Sequence, residues 1–125
     1  MILTFGAILA LILAGLFVEY VLEFTWEKIA EYIRKKRVIN RAKKWLMIEL
    51  KALVNDPNID RVSLDQLDQI VEHEGYTHAS VVLDENDDII GRQVELIKKD
   101  DVYTQATAEI EEVIRKNGGF IEVLI

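Results

Sequence analysis

Asp84-Glu85-Asn86-Asp87-Asp88 is the densest group of potential ligands in the chain, and closely spaced oxygen donors suit a hard cation such as calcium. With Asp84 at position 1, Asn86, Asp88 and Glu95 fall at positions 3, 5 and 12 of the twelve-residue calcium loop. Position 6, where that loop turns on a glycine, is Ile89, and the flanks are rich in strand formers. The run is expected to be a solvated hairpin turn holding no metal.

His73 and His78 are the only histidines. His73-Glu74 begins a pattern like the zinc-binding HExxH helix, but the second histidine would stand at 77, which is Thr77, and Gly75 breaks the helix. Both are expected on the surface. Glu19 and Glu23, four residues apart, could pair with a basic partner if they lie on one helical face. No Ser/His/Asp set, phosphate-binding glycine-lysine loop or dinucleotide glycine pattern is present, so the chain is expected to be non-enzymatic and without a cofactor. Cysteine is absent, which excludes disulfides, thiolate catalysis and cysteine-bound zinc.

Charge is split along the chain. Residues 1–44 hold eight Lys/Arg and four Asp/Glu, and residues 45–125 hold seven and eighteen, which together make the net −7. An acidic C-terminal part argues against nucleic acid as a partner, because phosphate backbones need clustered cations.

Met1–Val18 carries no charged residue, and as one helix it would span about 27 Å, close to the hydrocarbon thickness of a bilayer. Residues 1–24 are therefore expected to be a single transmembrane anchor. A cleaved signal is disfavoured because no Lys or Arg precedes the apolar run and no A-x-A-like site follows it. The basic residues all follow the anchor, which places the N-terminus outside and the C-terminal domain in the cytoplasm. Gly6, Ala10 and Ala14 recur every fourth residue, a small-residue face suited to helix packing.

Residues 25–54 are expected to form a basic amphipathic connector helix, with a bend or a change of contacts within Arg34-Lys35-Lys36-Arg37. Tyr20, Trp26, Arg34, Lys35, Lys36, Arg37 and Trp45 are the expected membrane-interface residues. Asn55-Asp56-Pro57-Asn58 is a turn and the expected boundary.

Residues 59–125 are expected to form a small α+β domain of order α-β-β-α-β, a three-stranded sheet with both helices on one face. Ser63 and Gln66 form a capping box, so its first helix begins at Leu64. Thr77–Leu83 and Ile89–Lys98 read as a hairpin. Asp100 and Asp101 open the second helix, with Val102, Ala106, Ile110 and Val113 as its apolar stripe, and Phe120–Ile125 reads as a central strand.

The resulting expectation is a bitopic membrane protein that acts as a subunit or scaffold of a membrane-associated assembly, through self-association or another membrane protein. Two alternatives remain open at this point: a membrane-tethered regulatory module binding a small ligand, which the scarcity of strand-end glycines disfavours, and a small membrane component of a virus or phage.

Overall fold

The structure, a computed structural model, describes residues 2–100 and 102–125. Met1, in the expected anchor, and Asp101, at the expected start of the second helix, lie outside the described residues.

The uncharged N-terminal run is not one helix. α1 (Ile2–Leu13) is twelve residues long, about 18 Å at the α-helical rise. Gly15, at φ 76°, then takes the left-handed conformation, its N–H donates to the Ile12 carbonyl, and Leu16 N–H donates to the Leu11 carbonyl. That is a Schellman stop, which glycine adopts without a Cβ penalty. The chain re-emerges as strand β1 (Phe17–Leu22), where aromatic and β-branched side chains suit a pleated surface. No helix among the described residues is long and apolar enough to cross a membrane. The anchor over residues 1–24 is thereby corrected. With it go the single-pass topology with its outside N-terminus and cytoplasmic domain, and the three membrane-based functional readings.

The connector over residues 25–54 is corrected as well. α2 (Trp26–Lys36) is capped by Thr25, whose hydroxyl oxygen accepts the Lys28 N–H at 3.1 Å. Glu27 lies in its first turn and Arg34, Lys35 and Lys36 in its last, matching the helix dipole. The expected bend is where this helix ends. After a loop in which Arg41 takes φ 71°, Lys44–Glu49 forms strand β2, and Leu50–Val54 forms the short helix α3. Trp45, Leu46, Met47 and Ile48 are buried on both faces of β2, so an apolar run without period-2 alternation becomes an inner strand.

α4 (Arg61–Asp68) begins three residues earlier than expected, because Asp60 caps it by accepting the Ser63 N–H at 2.8 Å. It continues as a π-helical turn, Gln69–His73, before β3 (His78–Leu83). A 3-10 turn, Ile90–Arg92, takes the place of the first part of the expected second hairpin strand, and β4 is Val94–Lys99. α5 (Gln105–Lys116) is capped by Thr104 and buries Thr107, Ile110 and Ile114, leaving Val113 exposed, as is Val102 ahead of it. β5 is Phe120–Leu124.

The five strands form one mixed sheet in the order β1-β4-β3-β2-β5, parallel between β1 and β4 and antiparallel elsewhere. This replaces the expected three-stranded sheet with two helices on one face. β5, expected to be central, is an edge. The first face carries Leu46, Ile48, Ala79, Val81, Val94 and Leu96 and packs with α1, α3 and α4. The second carries Trp45, Met47, Val82, Ile97 and Ile121 and packs with α2 and α5. Helices on both faces explain why β3 is buried along its whole length and β2 at its four inner positions.

Candidate functional site

Alternation along β4 puts Glu95, Ile97 and Lys99 on the second face, and the two charged residues meet partners from the helices above. Lys36 of α2 contacts the Glu95 carboxylate, and Lys99 contacts Glu111 of α5. Burial pushes Glu95 up to about 7, and burial followed by the neighbouring Lys35 charge draws Lys36 down. Each is thus drawn away from its charged form, and their contact offsets that tendency. Thr107 of α5 donates its hydroxyl to the Phe24 carbonyl at 3.1 Å, a buried tie to the segment between β1 and α2.

At the end of the sheet where β2 and β4 finish and β3 begins, a cleft of about 500 Å³ opens. Its walls include Glu49, Lys51, Glu72, His78, Lys99 and Arg115. Strand register sets Glu49 directly across from His78, on the same face. The π-turn carries Glu72 to the lip: the Glu74 N–H reaches back to the Gln69 carbonyl at 3.1 Å, and Gly75 at φ 79° lets the chain reverse. Such turns are frequent at functional positions.

His78 is 3 % exposed, not the surface residue expected, and its ring lies 4.7 Å from that of Phe24. Burial first, and then the Lys99 charge, hold it neutral, with its pKa down at about 3. The Thr77 hydroxyl lies 2.8 Å from Nδ1 and 3.3 Å from the Ile97 carbonyl, so Nδ1 is engaged by Thr77. Nε2 has no hydrogen-bond partner among the described residues. No sequence signal marked this residue, because its role arises from burial at a strand start. Neighbouring Tyr76 is pushed up to about 12, by burial and then by Glu19, and stays a neutral phenol.

The other expected sites are dispersed. Gly6, Ala10 and Ala14 do share a side of α1, facing outward and exposed, while Ile8 and Ile12 face the core. Of the residues expected at a membrane interface, Trp45 is fully buried and Tyr20 packs on Tyr32 at 4.7 Å between ring centroids. Trp26 is half-exposed at the start of α2, and Arg34, Lys35, Lys36 and Arg37 decorate its end, with Lys36 turned to Glu95. Glu19 lies on β1 and Glu23 just beyond it, so they are not one helical turn apart. His73 is exposed.

In the acidic hairpin Asp84 Oδ1 accepts the Asn86 and Asp88 N–H groups at 2.8 and 3.0 Å, and Asp87 pairs with Lys44 at 2.7 Å. Glu95, the would-be twelfth ligand, is engaged by Lys36 instead. Among the described residues no group of three or more His, Asp or Glu side chains is placed to hold a metal ion.

A second surface stands out for its lack of polarity. The outward side of α1 exposes Gly6, Ala7, Ala10 and Ala14, and it runs into the exposed Leu16, Val18 and Val21 of the β1 edge. Glu19 is the only charged residue within residues 2–22. The carbonyls of Leu16 and Leu22 accept from Val94 and Asp100, so even-numbered residues of β1 turn their backbone to β4. By alternation, the N–H and C=O groups of Phe17, Glu19 and Val21 point to the free edge.

No family model, curated protein or solved structure matches this chain.

Proposed function

We propose that this protein is a non-enzymatic subunit that self-associates through the outer side of α1 and the free edge of β1. The observation that carries the reading is α1 itself, a helix without a single charged residue whose outward side is exposed. A helix apolar all round belongs in an interior, and an extended apolar surface marks an interaction site. The adjacent edge offers unpaired backbone groups, so a second copy laid antiparallel along β1 would extend the sheet across both chains. Small residues on α1 would let the helices flanking that junction approach closely. Glu19 constrains the register, since two carboxylates directly opposed repel and pairing must set them apart.

A second copy suits this surface better than nucleic acid, for which the patch has no cations. Sedimentation velocity on the full chain, the Ala10→Glu variant and the Val21→Lys variant tests the reading. Both positions are exposed, so the substitutions leave the fold intact. The wild type should sediment as a dimer or larger, and each variant should shift to the monomer. A wild-type monomer, or variants that associate as the wild type does, would contradict it.

A further inference from the structure

We propose that the cleft at the sheet end binds a small zwitterion, of the kind that carries an ammonium and a carboxylate on neighbouring atoms, as a free α-amino acid does. The proposal stands on observations separate from those behind the self-association surface.

Four charged side chains line the cleft without an ion-pair partner among the described residues: Glu49, Glu72, Lys51 and Arg115. Lys99 and Glu111 line it too, but are engaged with each other. The free set is balanced, two acids and two cations. A ligand of one sign would meet attraction from two of these groups and repulsion from the other two. One carrying both signs can satisfy all four. The volume, about 500 Å³, lies in the range of small-molecule sites.

His78 supplies the second observation. It is buried in the cleft wall and neutral, its Nδ1 is engaged by Thr77, and Nε2 has no hydrogen-bond partner among the described residues. Glu49, across the strand pair from His78 and on the same face, is the acceptor for the ammonium, with Nε2 of His78 free for a further hydrogen bond to the ligand. Lys51, at the start of α3, and Arg115, in the last turn of α5, are the donors for the carboxylate. The guanidinium can grip both carboxylate oxygens at once. The structure thus assigns one pole to the strand residues and the other to the helix residues.

Calorimetric titration of the full chain with each free L-α-amino acid in turn, and with the N-acetyl and methyl ester derivatives of any that bind, tests the assignment. At least one amino acid should bind saturably at one site per chain. Removing either ligand charge should weaken it about tenfold or more, the usual worth of a charge-assisted hydrogen bond. Glu49→Gln and Arg115→Gln should each weaken it comparably without changing the circular dichroism spectrum. Absence of binding by every free amino acid would overturn the proposal. So would an N-acetyl derivative or an ester that binds as tightly as its parent, since the site would then read one charge only. Variants that fold and bind like the wild type would place the ligand elsewhere and overturn it too.

Discussion

Ile8→Ala separates a helix that belongs to the fold from one that merely precedes it. Ile8 is fully buried in the cluster on the first face of the sheet, and Ile12, one turn on, is 2 % exposed. Truncating a buried isoleucine to alanine costs about 2–5 kcal/mol, as lost transfer free energy plus the cavity left behind. The entropy of unfolding, about 2.1 cal/mol/K per residue, comes to about 0.26 kcal/mol/K over 125 residues, so each kcal/mol lowers Tm by about 4 °C. Ile8→Ala should therefore lower Tm by about 8–20 °C. The control is Ala7→Ser, next in sequence but exposed, where only helix propensity changes, by about 0.5 kcal/mol. Thermal melts followed by circular dichroism read both. If Ile8→Ala melts with its control, α1 does not pack on the sheet and the reasoning is wrong.

Asp60→Ala should cost about 1 kcal/mol in chemical denaturation, because it removes the cap of α4, whereas Ser63→Ala, which keeps the backbone donor, should cost less. Stability should also fall with acid through His78. Its pKa is about 3 in the fold against 6.5 ordinarily, so the unfolded chain binds the extra proton between those values; the contribution is complete above 6.5 and is lost as pH falls. At pH 4.5 the loss is at most about 3 kcal/mol, two pH steps at about 1.4 kcal/mol each. Glu95, raised to about 7, acts with the opposite sign between 4.5 and 7, and a His78→Leu variant isolates the histidine's share. The wild type should show a steeper fall below pH 6.5 than His78→Leu, and equal slopes would refute the assignment.

Local signals in the C-terminal half were mostly legible. The hairpin turn at Asp84, the helix ending at Lys116 and the last strand each follow from turn chemistry or periodicity that the structure keeps. The N-terminal half is ambiguous in sequence because two apolar runs admit two structures. Residues 1–18 match a span in composition, and the decisive signal was one residue, Gly15, whose left-handed conformation ends α1. Ile39, Ala42, Leu46, Leu50 and Leu53 line up on one helix face when counted at 100° per residue, yet Trp45–Ile48, four apolar residues in a row, fit a strand covered on both sides. Choosing between them needed the tertiary fact that helices cover both faces of the sheet. The cleft was illegible for a related reason. Glu49, His78 and Arg115 are far apart in sequence, and only strand register and the packing of α5 bring them to one opening. The small-residue face of α1 is visible from its spacing, although the helix stops at Leu13 and leads into a sheet edge.

Amide hydrogen exchange across β1 as the protein is diluted tests the self-association claim most directly. The N–H groups of Val18 and Tyr20 bond within the sheet and should stay protected at every concentration. Those of Phe17, Glu19 and Val21 face the free edge, and they should be protected when the protein is concentrated and lose protection on dilution. Rapid exchange of these three amides at all concentrations would contradict the account.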